Sequence, residues 1–170
     1  THVVLSDPQS AQIAVTTEGG VVVVERAAGV VVGRVILERR SSNAGASVCI
    51  GHQCVTTGAD GRYVLTEIPS GPAAITVSRP SYLRTQRSIT VPTGLLPLPD
   101  VTLLAGDVNQ SDRIDQYDAI SVGLAWNATP ADTRWDKRSD ITADRSVNIL
   151  DMVGVQYNWN SVAPGPWGTT

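Results

Sequence analysis

The sequence predicts a mainly β protein, an antiparallel β-sandwich followed by a small helical domain built on two acidic loops. Three observations carry this expectation. The chain of 170 residues is 42% hydrophobic with only 5% aromatic residues and no Phe, so its core draws on Val and Ile, the β-branched residues that suit strands. Short apolar runs recur between Gly, Pro, Asp and Ser clusters as far as residue 104. The charge is unevenly spread: residues 1–100 hold 7 acids and 8 bases, whereas residues 101–170 hold 9 acids, every one an Asp, against 5 bases. Asp is poor in helix interiors but good in turns and as an oxygen ligand. Together with Pro92, Pro97 and Pro99, this shift predicts two domains joined at about Leu104.

The composition narrows the function classes. A net charge of −3 without clustered Lys or Arg argues against nucleic acid as the main partner. The stretch from Val21 to Leu37 is apolar but carries Glu25, Arg26 and Arg34, so no membrane span is expected. The two histidines, His2 and His52, leave little for His-based catalysis. A glycoside hydrolase needs two carboxylates across a cleft, and acids outside the second half are sparse. The chain is therefore not expected to be an enzyme. A start at Thr1 rather than Met is expected of a processed chain or a fragment.

In residues 1–28, the segments 3–5, 12–17 and 21–25 read as strands, with Glu18-Gly19-Gly20 as a hairpin turn. They are too few for a domain. Weakly, they resemble the closing hairpin of a cohesin-type sandwich. The uncharged run Val21-Val22-Val23-Val24 has high β-propensity and needs burial, either against the chain's own sandwich or by strand donation to another copy.

From residue 29 to 104 the expected strands are 30–38, 46–50, 53–57, 62–66, 73–78, 86–91 and 101–104, separated by Ser41-Ser42-Asn43, Gly58-Ala59-Asp60-Gly61, Pro69-Ser70-Gly71 and Pro92-Thr93-Gly94. Tyr63 and Tyr82 are expected in core and rim packing. Cys49 and Cys54 flank Ile-Gly-His-Gln, a spacing that suits facing strands joined by a tight turn. A disulfide there would imply an oxidising, extracellular compartment; free buried thiols are the alternative, and a Cys49/His52/Cys54 metal site would lack a fourth ligand. The run Thr57-Gly58-Ala59-Asp60-Gly61-Arg62-Tyr63, followed by Ile68-Pro69-Ser70-Gly71 and Ile75-Thr76-Val77, resembles the carboxypeptidase-regulatory-like, prealbumin-like β-sandwich module over about 29–104. The resemblance implies a spacer, adhesion or glycan-contacting unit of a secreted protein. The Lys–Asn cross-link of some related sandwiches is excluded, because this stretch has no Lys.

Residues 105–162 contain a duplication at an offset of 33. Asp107/Asp140, Asp118/Asp151, Val122/Val155, Trp126/Trp159 and Asn127/Asn160 are identical pairs, and Ile114/Val147 and Ile120/Val153 are conservative ones. Each copy reads as a twelve-residue loop followed by an apolar helix. Oxygen ligands at positions one, three, five, nine and twelve, with the carbonyl of position seven, can surround Ca2+. In the first loop these are Asp107, Asn109, Ser111, Asp115 and Asp118 with the Arg113 carbonyl. In the second they are Asp140, Thr142, Asp144, Asn148 and Asp151 with the Ser146 carbonyl. Two Ca2+ ions are expected, on the premise that three carboxylates per loop come close and repel without a cation. Ile114 and Val147, at position eight, are expected to tie the loops together. Position six, normally Gly, is Asp112 or Arg145, and a pair of Asx-turn loops without metal is the alternative. Trp126 and Trp159 are expected to cap a two-helix core.

Gly106-Asp107-Val108-Asn109 and Val147-Asn148-Ile149-Leu150-Asp151, with Asp at position twelve, resemble a type I dockerin, an EF-hand-like domain. The resemblance implies an extracellular or cell-surface, calcium-dependent plug for a cohesin module, in complexes that degrade plant polysaccharide or build surface structures. It places the partner contact at Gln116, Tyr117, Ile149 and Leu150, where the usual Ser-Thr pair is absent. Residues 163–170 read as a tail. A structural subunit of an extracellular filament, polymerising with copies of itself through residues 1–28, is the competing expectation.

Overall fold

The computed structural model describes residues 27–167 throughout, and the backbone of 5–6, 12–18 and 21–26 within strands. Strands β1 (Leu5–Ser6), β2 (Gln12–Glu18) and β3 (Val21–Arg26) pair antiparallel as a three-stranded sheet. The valine run pairs with Val15–Glu18 of β2, whereas the expected strand residues Val3 and Val4, the turn at Gly19-Gly20 and the side chains of the valine run lie outside the described residues.

Eight further strands follow: β4 (Ala28–Leu37), β5 (Ser47–Ile50), β6 (Gln53–Thr56), β7 (Arg62–Pro69), β8 (Gly71–Arg79), β9 (Tyr82–Val91), β10 (Leu95–Pro97) and β11 (Val101–Leu103). One sheet runs β6-β5-β8-β9, antiparallel throughout. In the other, β4 pairs antiparallel with β7 but parallel with both β10 and β11. The antiparallel expectation is corrected here. After β9 the chain returns along β4, pairing with Val30–Val32 through β10 and with Val35–Leu37 through β11. Strand β10 was missed because Pro92, Pro97 and Pro99 bracket it. Pro97 sits at the end of β10, on an edge strand, where a missing N–H is tolerated.

Alternation places the core. In β7, Tyr63, Leu65 and Ile68 are buried, with the break in period at Glu67, whose φ is +58°. Val31, Val35 and Leu37 of β4 meet Val48, Ile75, Val77, Leu83 and Val91 of the facing sheet in one apolar cluster. Tyr63 and Tyr82 are both buried, as core residues should be. The Asp60-Gly61 turn requires its glycine: φ is +80°, and a Cβ would fall 2.0 Å from the Val35 carbonyl oxygen. Cys49 and Cys54 are directly opposed between β5 and β6 and joined by a disulfide.

Among the described residues two helices follow the strands, α1 (Gln116–Leu124) and α2 (Ile149–Tyr157). Neither is long enough to cross a membrane. The apolar cluster does not stop at Leu104: Val108, Ile114, Val122 and Val155 belong to the same cluster as Val35 and Leu83. Polar bonds reinforce this seam. The Glu38 carboxylate accepts the Ala105 N–H (3.0 Å) and the Asn158 Nδ2 (2.5 Å). Thr85 Oγ1 donates to the Gly165 carbonyl at 2.6 Å, so residues 163–167 are docked on β9 rather than trailing as a tail.

Candidate metal centre

The duplication in sequence reappears as a duplication in hydrogen bonding. In the first loop, the Asp107 carboxylate accepts the N–H groups of Ser111 (2.9 Å) and Asp112 (3.1 Å). Asp118 accepts those of Asn109 (3.0 Å) and Asp115 (2.9 Å), and Asp115 accepts that of Tyr117 (2.9 Å). The second loop repeats each bond at the offset of 33. Asp140 accepts from Asp144 (3.2 Å) and Arg145 (3.1 Å). Asp151 accepts from Thr142 (2.9 Å) and Asn148 (2.9 Å), and Asn148 from Leu150 (2.8 Å).

The backbone obeys the same offset. Gln110 and Ala143 share φ near +60°, as do Asp112 and Arg145 at position six (+65° and +71°). The left-handed turn therefore forms there without Gly, at a cost of about 1 kcal/mol per residue. Gly106, immediately before the first loop, has φ +133° and packs too close to Ile114 and Val155 for a side chain.

Two features were legible in sequence but not read from it. Asp115…Asp118 and Asn148…Asp151 are capping boxes, so position nine is the N-cap of each helix and position twelve its N3 residue. Asn127 and Asn160, retained in both copies, are the left-handed residues just past each helix (φ +60° and +66°), a conformation that Asn tolerates.

The expected link through position eight is corrected. Ile114 and Val147 do not bond to each other. The Ile114 N–H donates to the Ser161 carbonyl and its carbonyl accepts from Asn160, while Val147 makes the equivalent bonds with Ala128 and Asn127. Each loop is thus tied to the turn after the other copy's helix, an exchange that neither copy alone can make. The tryptophans are corrected too. Trp126 and Trp159 are 41% and 44% exposed, and the core beneath is closed by Val122, Ala125, Ala128 and Val155.

The expected convergence of three carboxylates is not what the loops show. Among the described residues, no three His, Cys, Asp or Glu side chains form a metal cluster. Asp115 is drawn off by its cap and by Arg113 (3.6 Å), and Asp144 by the Ser146 N–H and Asn148 Nδ2. Two carboxylates per loop stay inside: Asp107 (2% exposed) with Asp118 (0%), and Asp140 (5%) with Asp151 (0%). Burial pushes the Asp107 carboxyl up to about 6, and the Asp118 charge adds to this. Burial likewise raises Asp118, and it raises Asp140, where Asp151 and Asp144 add their charge.

Neutral oxygens gather beside these pairs. Ser111 Oγ lies 3.2 Å from the Arg113 carbonyl, and Thr142 Oγ1 lies 3.1 Å from Asp151. Buried carboxylates beside hydroxyl and carbonyl oxygens, in loops that contain no His or Cys, fit a hard divalent cation, and Ca2+ in particular, better than a softer metal. The helix positions ahead of each twelfth residue point outward: Tyr117 is 60% exposed, Ile149 59% and Leu150 53%, with Gln116 exposed beside them.

Residues 30–104 match the family of the carboxypeptidase regulatory-like domain, within one residue of the expected start. The comparison with curated proteins gives no match. Among solved structures, the chain is similar to a chain in the crystal of a C-terminal interface mutant of the type II cohesin–X–dockerin complex from Acetivibrio cellulolyticus. The TM-score is 0.71 at 18% identity, covering 79% of this chain and 97% of that one. A chain in the N-terminal interface mutant of the same complex matches with the same values. These likenesses concern the fold: a mainly β, sandwich-like protein with two helices, whose residues 30–104 carry the features of the carboxypeptidase regulatory-like domain.

Proposed function

We propose that this chain is a secreted, non-catalytic assembly module. Its duplicated loops bind two Ca2+ ions, and its two helices dock a cohesin-type partner outside the cell or on its surface. The observation that carries the reading is the 33-residue repeat of bonds and left-handed residues around paired buried carboxylates. Asp107, Asp118, Asp140 and Asp151 would supply charge, with Asn109, Ser111, Thr142, Asp144, Asp115, Asn148 and the carbonyls of Arg113 and Ser146 as the further oxygens. Bound there, Ca2+ would supply the positive charge that the buried carboxylates lack. The structural likeness supports the reading further. Residues 1–104 are 61% of the chain (104 of 170), so coverage of 79% must extend into the loop–helix half. Polysaccharide-degrading complexes are the setting this fold and partner class suggest.

Calcium titration of the intact chain by calorimetry tests the metal. Two ions are expected, with Asp118→Ala and Asp151→Ala each removing one; no bound Ca2+ would overturn the reading. The partner is tested by titrating a purified cohesin module with and without Ca2+. Calcium-dependent binding lost in Tyr117→Ala or Leu150→Ala supports the docking face. Binding of a dockerin module instead would assign this chain the opposite side of such a complex.

A second reading, a filament subunit, draws on the self-contained sheet of β1–β3. It expects fibres in electron micrographs of the intact chain, lost on deletion of residues 1–28.

A further inference from the structure

Four cations gather where the sandwich meets the second loop, in a chain whose net charge is −3. A cleft of about 360 Å3 is lined by Arg40, Arg79, Lys137 and Arg138, with Gly45 against the Arg79 guanidinium. Arg138 is neutralised by Asp136 at 2.9 Å. The other three have no carboxylate within ion-pair distance among the described residues. Arg40 commits Nε to the Ile141 carbonyl (2.7 Å) and Nη2 to that of Asp140 (3.2 Å). Arg79 commits one Nη to the Ala44 carbonyl (2.6 Å).

Neutral carbonyls thus hold both guanidiniums in place without cancelling their charge. They share one aromatic neighbour, lying 5.8 and 5.9 Å from the centre of the buried Tyr82 ring, whose hydroxyl is anchored on the Glu38 carbonyl. Among the described residues, each retains N–H groups beyond those committed to these carbonyls. Partial burial and the charge of Arg40 lower the Arg79 pKa from its ordinary value, the sign of like charges held together.

We propose that this cleft is an oxyanion site, in which Arg40 and Arg79 grip a carboxylate or sulfate group and Lys137 closes on it from the rim. Guanidinium forks held rigid by other bonds suit planar or tetrahedral oxyanions, and charge-assisted bonds of this kind are the strong ones. The site needs no calcium, so it stands or falls apart from the metal reading. The anion has two sources, a free inorganic ion or the carboxylate of an acidic saccharide.

Sodium sulfate and sodium glucuronate, titrated separately into the intact chain at constant ionic strength and followed by amide NMR shifts, distinguish them. Saturating shifts around Ala44, Gly45 and Lys137 are expected with at least one anion. Tighter sulfate binding identifies a tetrahedral ion, and tighter glucuronate binding an acidic saccharide. Arg79→Gln and Lys137→Gln should each weaken binding at least about tenfold, while Arg62→Gln, on an exposed pair with Asp60, leaves it unchanged. Lys137 is exposed, so its variant reports on the site without disturbing the core. Linear shifts with both anions, or saturation that Arg79→Gln and Lys137→Gln leave intact, would overturn the proposal.

Discussion

The sandwich and the loop–helix half share one apolar cluster but reach stability differently. In the sandwich, long strands bury alternate aliphatic residues: Val31, Val35, Val48, Ile75 and Val77 are 0% exposed. The second half has two helices of nine residues each, too short to persist alone. Beside the buried Ile114, Val122, Ile141, Val147 and Val155, it also buries four carboxylates. One region is held by removing apolar surface from water; the other spends part of that gain on buried charge. A bound cation would offset the cost in one but would have nothing to offset in the other.

Chelation gives the largest separation between them. A ligand that binds only the folded state adds about 2.7 kcal/mol per site at a hundredfold excess over Kd. Removing Ca2+ with a chelator should therefore lower the melting transition reported by Trp126 and Trp159 fluorescence more than hydrogen exchange in β8. Equal responses would mean that the halves unfold as one unit. The pH dependence sharpens this test. The chelated protein holds the Asp107 carboxyl at about 6, above its ordinary value of 3.8. A raised acid makes its stability contribution below the unfolded pKa and loses it as pH climbs through the folded one. Chelated protein should lose stability between about pH 4 and pH 6, and saturating Ca2+ should abolish that loss.

Truncating the sandwich core tests the other side. Ile75→Ala removes a fully buried side chain and should cost about 3 kcal/mol in urea unfolding, whether or not Ca2+ is present. A calcium-dependent cost would show that the metal sites reach into the sandwich. Smaller effects belong to the turns that cross-link the repeats. Asn127→Ala and Asn160→Ala should each cost about 1 kcal/mol, because Ala loses the left-handed tolerance of Asn. Equal costs are expected from a duplicated turn; an effect at one site alone would break the equivalence. The smallest effect is expected at the seam's surface. Arg84 and Asp112 are joined at 2.6 Å but remain 45% and 43% exposed, so Arg84→Gln should change stability by less than about 1 kcal/mol.

Much of the architecture was readable because it is written in local patterns. Period-two alternation and turn residues located β4 to β9, and the spacing of Asp107, Asn109 and Asp118 located the two loops, although each helix begins at loop position ten and not after position twelve. The capping boxes and Asn127/Asn160 carried signals of the same local kind. What failed were expectations that need two distant segments. Strand β10 was hidden by its prolines, since only its place at the edge of β4 makes it a strand. The bonds of Ile114 to 160–161 and of Val147 to 127–128 depend on how one repeat turns against the other, which spacing does not encode.

The sequence by itself determined the mainly β character, the strand periods, the cysteine pair on facing strands and the duplicated order of acidic and polar residues in the two loops. These follow from steric preference, alternation and hydrogen bonding within a dozen residues. The tertiary structure alone decided that β4 carries parallel neighbours and that each loop is tied to the turn after the other copy's helix. It alone brought Arg40, Arg79, Lys137 and Arg138, from segments far apart in the chain, to one cleft. Such groupings depend on packing across the seam, where burying Val108, Ile114 and Val155 against the sandwich fixes the angle between the halves and so selects which charges meet.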